Sequence, residues 1–246
     1  IVLEAGDYLR LHLHDDLMIS KKTGPTDLVT QMDQQVQKDL VEKITHRYPE
    51  DRIFAEEDGL RSPISEGSVW VIDPIDGTNN FVTQKEDFAV MVAYFEDGIG
   101  QFGLIYDVMR DHLFYGGGEF PVYRNEVELT PFVDQPLENL LIASNVGMLE
   151  KNDWGMADLG MDSLGIRVYG SAGISFSKIL SGGILAYFSY IWPWDYAAAA
   201  IMGERLGYTV LNLNGDKPNY QTVEPIMMVP KVKLTEIQTY LKKGRS

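Results

Sequence analysis

The chain of 246 residues carries 36 Asp and Glu against 21 Lys and Arg, a formal net charge of −15, so nucleic acid and anionic membrane surfaces, which need an excess of cations, are not expected partners. There is no Cys, which removes disulfides, thiol nucleophiles and Cys-type zinc sites; the four His are scattered without metal spacing, and no run approaches a membrane span. The length allows a large core, as one α/β unit or as two lobes sharing an interface, and with no signal peptide visible the cytoplasm is the expected compartment.

The first residue is an Ile inside a helical pattern, so a start Met and a helical turn are expected to lie upstream. Ala5, Leu9, Leu13 and Leu17 recur every four residues and predict an amphipathic helix over residues 1–18, ending before Gly24-Pro25. His12 and His14, two apart on that helix, do not share a face and read as surface residues. Lys21-Lys22-Thr23 is a basic loop. Thr30 and Asp33 form the T-x-x-D pattern of a capping box that opens a helix with the apolar stripe Val36, Leu40 and Ile44. Residues 52–55 read as a short strand delivering Glu56, Glu57 and Asp58 at its C-terminal end, where α/β folds place ligands; Glu56 is the expected metal ligand. Residues 60–67, with Pro63 and Gly67, read as a mobile loop.

The densest chemistry follows in Trp70-Val-Ile-Asp-Pro-Ile-Asp-Gly-Thr-Asn-Asn-Phe81. Residues 69–72 are an apolar, β-rich run that predicts a buried strand, ended by Asp73. Pro74 fixes φ and Gly77 relaxes the backbone, so the chain turns with Asp73 and Asp76 on one side. Two carboxylates so close repel unless a cation sits between them, and Asp73, Asp76, the Ile75 carbonyl and the Thr78 hydroxyl make an all-oxygen set suited to Mg²⁺. The backbone N–H groups of Gly77 and Thr78 would open a short helix and seat a phosphate beside that metal. The plain alternative is an Asp-Pro-x-Asp-Gly turn without any ligand.

Residues 88–95, 99–106 and 112–115 predict an antiparallel meander, and 122–124 with 127–129 a further hairpin. Composition turns to loop over 131–136, which divides the chain into lobes 1–131 and 132–246. In the second lobe, strands are expected at 140–144 and 166–169. Gly170-Ser-Ala-Gly173 leads into a helix over 174–180, and a strand follows at 184–190. Pro193 and Trp194 then set Asp195 as the N-cap of an Ala-rich helix over 196–206, closed by Gly207. Strands at 208–212 and 226–229 and a helix at 234–243 complete the chain.

The stretch from Trp70 to Phe81 resembles the first signature of the inositol monophosphatase family of Mg²⁺-dependent, lithium-sensitive phosphatases. Thr26-Asp-Leu-Val-Thr-Gln-Met-Asp33 is similar to the family's early helix start and Ala55-Glu-Glu-Asp58 to its Gly-Glu-Glu element, with Ala in place of Gly. Trp194-Asp-Tyr-Ala-Ala198 is similar to its second signature, and the four stretches keep the family's order over nearly the whole chain. The resemblance implies an α/β (α+β layered) fold, a sugar-phosphatase-type αβαβα sandwich of two αβ lobes, that hydrolyses a small phosphate monoester without a covalent phosphoenzyme. It implies two or three Mg²⁺ held by Glu56, Asp73, Asp76, Asp195 and the Ile75 carbonyl, and catalytic roles for Glu56, Thr78 and Asp33. Substrate contacts would come from Asp76, Gly77, Thr78, Gly170, Ser171, Ala172 and Asp195, and Lys22 in the basic loop would face the entrance to the site. In the family the Asp33 carboxylate bonds the threonine and helps it polarise the attacking water; one oxygen cannot both do this and cap the helix, so the resemblance favours catalysis. A homodimer is implied by the family alone. Fructose 1,6-bisphosphate, a 3′-phosphoadenosine nucleotide and NADP⁺ stay open as substrates, and a non-catalytic regulatory homologue is the rival of another class. One departure stands out: between Gly182-Gly183 and Trp194 the chain is one residue short, and Ser189 falls where the family carries a glutamate that bonds inositol hydroxyls. Tyr187, Phe188, Tyr190 and Trp192 surround it, either as a rim that stacks on a nucleotide base or simply as core.

Overall fold

The computed structural model describes residues 1–16, 18–21 and 28–243 of the chain. Helix α1 (Val2–Leu11) is followed by a small antiparallel pair, β1 (Ile19–Lys21) and β2 (Leu28–Thr30), and then by α2 (Gln31–Arg47). A seven-stranded sheet comes next, in the order β3 (Arg52–Ala55), β4 (Ser68–Asp76), β5 (Ala89–Glu96), β6 (Ile99–Asp107), β7 (His112–Gly117), β8 (Phe120–Arg124), β9 (Val127–Glu128). Only β3 and β4 pair parallel; the remainder is the expected meander. The short helix α3 (Thr78–Thr83) leaves the end of β4. A five-stranded sheet is built from β10 (Leu141–Ser144), β11 (Gly165–Arg167), β12 (Ala186–Ile191), β13 (Tyr208–Asn212) and β14 (Glu224–Pro230), in the order β11-β10-β12-β14-β13. Between and after its strands lie α4 (Val146–Glu150), α5 (Met156–Asp162), α6 (Ala172–Leu180), α7 (Pro193–Arg205) and α8 (Leu234–Lys243).

The layers follow from side chains alternating across each strand. In β4, Trp70 and Ile72 pack with Leu9 of α1 and with Val36, Leu40 and Ile44 of α2. Val69 and Val71 face the other way, into Ile174 and Phe176 of α6 and Ala197 and Ala198 of α7. That cluster continues into Ala143, Tyr187, Ile226 and Met228 of the second sheet, so α6 and α7 form a middle layer. The outer face of the second sheet, Ile142, Phe188, Met227 and Val229, buries Met148, Met156, Leu159, Ile237 and Leu241. Helix, sheet, helix, sheet, helix is the stack, the α/β sandwich the sequence implied. The Ala-rich face of α7 is what permits its depth: a Cβ at Gly103 of β6 would fall 2.4 Å from the Ala198 carbonyl oxygen.

Several expectations change. The first helix stops at Leu11, because Asp15 and Asp16 would oppose the helix dipole at its C-terminal end; His12 Nδ1 instead meets Asp15 at 2.6 Å. Leu13 is still buried, while Leu17, Lys22, Thr23 and Gly24-Pro25 lie outside the described residues. The strand expected to end at Asp73 runs on to Asp76. Residues 60–67 are tied down: Asp58 and Gly59 take left-handed φ of 58° and 67°, and the chain folds back so that the Ala55 N–H reaches the Leu60 carbonyl at 3.0 Å. Further on, the Gly98 N–H donates to the Ile64 carbonyl at 2.8 Å and the Gly67 N–H to Asp97 at 2.7 Å. Helices α4 and α5 had no sequence expectation, since Gly147, Gly155 and Gly160 interrupt any 3.6-residue apolar pattern there.

Candidate active site

Along an ordinary strand, residues three apart point to opposite faces. Asp73 and Asp76 do not, because β4 bulges between them: Asp73 stands opposite Met91 and Asp76 opposite Ala89, three steps against two. Pro74 sits in that bulge, where its missing N–H costs no ladder bond. Asp195 arrives from α7 in the middle layer, and carboxylate oxygens of Asp73, Asp76 and Asp195 lie within 4.8 Å of one another. Glu56 stands just outside this triad at the end of β3, in hydrogen-bond contact with Asp73. Its backbone N–H donates to the Ile72 carbonyl at 3.2 Å, which holds β3 against β4 at the site.

The electrostatics are unfavourable without a cation. Burial pushes the Asp73 carboxyl well above the usual carboxylate range, and the charges of Glu56, Asp76 and Asp195 push it further. Asp195 is raised well above its ordinary value by burial and then by Asp76 and Glu56, with the Trp192 N–H pulling against them. Asp76 is raised by burial, opposed by hydrogen bonds from the Ser171 hydroxyl and the Gly173 and Ala172 N–H groups. Mutually repelling hard oxygen donors of this kind fit Mg²⁺, which relieves the repulsion and suits carboxylate and carbonyl ligands.

Asp33 is fully buried, and its two oxygens divide the two roles that compete for it in the sequence. Oδ2 accepts from the Thr30 N–H at 2.8 Å and the Thr30 hydroxyl at 2.7 Å, completing the cap of α2. Oδ1 accepts from the Thr78 hydroxyl at 2.9 Å, and that hydroxyl also lies 3.1 Å from the Ile75 carbonyl. Capping and catalysis are therefore compatible in one side chain.

The second sheet's side closes on this turn. The Ser171 hydroxyl donates to Asp76, the Ala172 N–H reaches Asp76 Oδ1 at 3.0 Å and the Gly173 N–H reaches Oδ2 at 2.7 Å. The polar groups of Ser171 and Ala172, expected at the substrate, are thus directed at Asp76. Gly77 has φ 89° and a Cβ on it would fall 2.9 Å from the Ser171 Cβ, so the two turns meet nearly backbone to backbone. Gly170, at φ 71°, packs against Asn80, whose amide donates to the Asp87 carbonyl at 2.9 Å and the Tyr169 carbonyl at 2.7 Å. Asn80 and Gly173 were not singled out in the sequence, although both lie inside stretches that were. Asp195 is not an N-cap: α7 begins at Pro193, and Asp195 in its first turn accepts the Trp192 N–H at 2.7 Å.

The sequence model of the inositol monophosphatase family matches residues 1–243. The chain belongs to that family. An inositol-1-monophosphatase of Bacillus subtilis (strain 168) is 36% identical over 221 residues, 87% of this chain and 83% of its own. The structure of SaIMPase-II with inositol monophosphate bound matches with a TM-score of 0.87 at 29% identity, covering 98% of this chain and 91% of that one. An IMPase/NADP phosphatase complexed with Mg²⁺ and phosphate matches with a TM-score of 0.88 at 26% identity, covering 97% and 91%. The chain is a magnesium-binding phosphoric monoester hydrolase of the inositol monophosphatase family.

Against the family pattern, Ser189 is informative. It is only 5% exposed, and its hydroxyl accepts from Asn145 Nδ2 at 3.2 Å. The Tyr187 hydroxyl bonds Ser189 and Ser175, and burial together with the charges of Asp76 and Asp195 raises its pKa. The aromatic stretch divides: Tyr187 and Phe188 are buried, while Tyr190 and Trp192 are 45% and 38% exposed. Trp192 lies flat on Trp194, centroids 4.8 Å apart and planes 8° off parallel.

Proposed function

We propose that this phosphatase acts on several small phosphate monoesters, at a site between lobes 1–131 and 132–246, with two or three Mg²⁺ held by Glu56, Asp73, Asp76, Asp195 and the Ile75 carbonyl. The observation that carries this is the convergence of three carboxylates from two distant parts of the chain to within 4.8 Å, with the Asp33–Thr78 hydrogen bond beside them. Bound Mg²⁺ supplies Lewis-acid chemistry, acidifying a water and stabilising the leaving oxygen. The chain supplies the rest. Asp33 fixes the Thr78 hydroxyl, which orients the attacking water, and Glu56 accepts its proton. The backbone of Gly77 and Thr78 holds phosphate oxygens as charge develops. Asp76, anchored by Ser171, Ala172 and Gly173, and Asp195 face the alcohol side of the substrate together with Gly170.

Substrate breadth is supported by Ser189, whose hydroxyl is buried and already bonded to Asn145, so it offers no acceptor to an inositol hydroxyl as a glutamate would. The related IMPase/NADP phosphatase carries two activities in its name, which agrees with this reading. Release of inorganic phosphate from a panel of monoesters, with Mg²⁺ and with excess EDTA, tests it; turnover that survives EDTA would sink the metal reading. A homodimer is part of the proposal, supported by exposed Leu164 and Val168, which flank edge strand β11, and exposed Met161 of the preceding helix α5; light scattering that returns the single-chain mass of 27.7 kDa would contradict it. A cytoplasmic location is likewise proposed, to be checked by cell fractionation.

A further inference from the structure

Arg61 lies on the returning arm of the turn after β3 and makes an isolated antiparallel bridge with Phe54. Its guanidinium donates to three successive structural points: the Ala55 carbonyl, the Glu56 carbonyl at 3.3 Å and the Leu60 carbonyl at 3.0 Å. The same planar group lies over the ring of Trp194, 4.6 Å from its centroid, and over Phe54 at 5.7 Å. Trp194 is 4% exposed and immediately precedes Asp195. One side chain therefore touches the backbone that carries Glu56 and the residue next to Asp195, although these belong to different sheets' halves of the chain.

We propose that Arg61 is a positioning residue that sets the spacing between Glu56 and Asp195, and so the affinity of the site for Mg²⁺; this rests on the reading of both carboxylates as ligands. The Glu56 backbone is held on two sides, its N–H by Ile72 of β4 and its carbonyl by Arg61. Without Arg61 the peptide that carries this carbonyl keeps the bond from its Glu57 N–H to Gln37 Oε1 at 2.7 Å but loses its tie to the returning arm and to Trp194. The flat face of the guanidinium then fixes this turn against Trp194, and hence against the start of α7. Lysine cannot substitute: it keeps the charge but has neither a fork for several carbonyls nor a plane to lie on an indole.

The experiment is a titration of the folded, metal-free enzyme with Mg²⁺, followed by calorimetry and by the intrinsic fluorescence of Trp194 and its neighbours, for wild type, R61A, R61K, E56Q and R52A. Outer partners of metal ligands typically change metal affinity by about ten- to a hundredfold, so R61A is expected to weaken Mg²⁺ binding by about tenfold. At saturating Mg²⁺ the KM for the phosphate ester stays near wild type, because Arg61 does not reach the substrate. R61K is expected to recover less than half of the loss on a logarithmic scale, and it serves in place of R61A should the alanine variant not fold. R52A removes the outer ion pair of the same loop, Arg52 with Glu66 at 3.8 Å, and is expected to leave Mg²⁺ affinity unchanged. Wild-type affinity in R61A with weakened E56Q overturns the role of Arg61 alone. Wild-type affinity in E56Q overturns the assignment of Glu56, and the proposal with it. Equal losses in R61A and R52A reduce Arg61 to a general loop tether, which also overturns it.

Discussion

The division of labour between the oxygens of Asp33 makes Asp33→Asn the most informative single change. An asparagine keeps one acceptor. If its oxygen faces Thr30, the bonds at 2.8 and 2.7 Å survive, and the amide NH₂ faces the Thr78 hydroxyl, now unable to accept its proton at 2.9 Å. That hydroxyl proton is then confined to the Ile75 carbonyl at 3.1 Å, and the hydroxyl loses its alignment on the attacking water. A hydrogen bond to a charged acceptor is worth about 1.5–3 kcal/mol; with one neutral bond in its place the stability loss is roughly 1–2 kcal/mol. At roughly 2–4 °C per kcal/mol for a chain of this size, Tm falls by about 2–8 °C. Catalysis suffers more: losing the alignment of the attacking water is expected to lower kcat about a hundredfold, about 2.7 kcal/mol at 1.36 kcal/mol per decade, with KM nearly unchanged. Thr78→Ala should match that kcat, and the double variant should be no slower than either, because the two groups act as a unit. Thr30→Ala is the control: it removes the hydroxyl that accepts the Met32 N–H at 3.0 Å, costs about 1 kcal/mol of helix capping and leaves kcat near wild type. Steady-state phosphate release and thermal melts of the four variants decide the matter. Additive kcat losses in the double variant, or a Thr30→Ala enzyme as slow as Asp33→Asn, would refute the pairing.

Asp195→Asn should keep the bond from the Trp192 N–H, since the amide oxygen can accept it, and it removes one of the repelling charges; metal-free Tm is expected to hold or rise while the Mg²⁺-induced gain in Tm and most turnover disappear. Wild-type turnover and metal affinity in that variant would leave Asp195 as a helix-capping group only. The pKa shifts set a direction with pH. Asp73 and Asp195 are raised in the folded state, so as pH rises through the unfolded carboxylate value near about 4 the unfolded chain releases those protons first and the metal-free protein loses their contribution to stability. Mg²⁺ displaces the same protons, so its stabilising increment should grow as pH rises above the ordinary carboxylate range; an increment that stays flat across melts above that range would contradict the raised pKa of Asp73 and Asp195. Across inositol 1-phosphate, glycerol 2-phosphate, fructose 1,6-bisphosphate, 3′-phosphoadenosine 5′-phosphate and NADP⁺, kcat/KM is expected to favour inositol 1-phosphate by less than about a hundredfold, about 2.7 kcal/mol. A larger preference would mean that another residue replaces the family's glutamate.

What the sequence determined by itself is whatever local chemistry enforces. The continuous apolar, β-rich run of Val69 to Ile72 specifies a buried strand, the T-x-x-D pattern at Thr30 and Asp33 specifies a helix start, and Asp-Pro-x-Asp-Gly-Thr specifies clustered oxygens; the structure has all three, with the strand carried on to Asp76 in place of the turn expected at Asp73. The strand at Tyr208–Asn212 and the helix at Leu234–Lys243 likewise fall where they are expected from the sequence. The tertiary structure alone decided the rest, because those questions turn on contacts between distant residues. Asp73 and Asp76 share a side through a bulge fixed by pairing with β5, which periodicity within β4 cannot reveal. Which oxygen of Asp33 serves which partner depends on Thr78, 45 positions away. Ser171 and Ala172 turn to Asp76 across more than ninety residues, and Arg61 joins the turn after β3 to Trp194. Spacing in a chain records neighbours along the backbone, whereas a site assembled from two sheets is a statement about packing, and only the packed layers bring its carboxylates within reach of one ion.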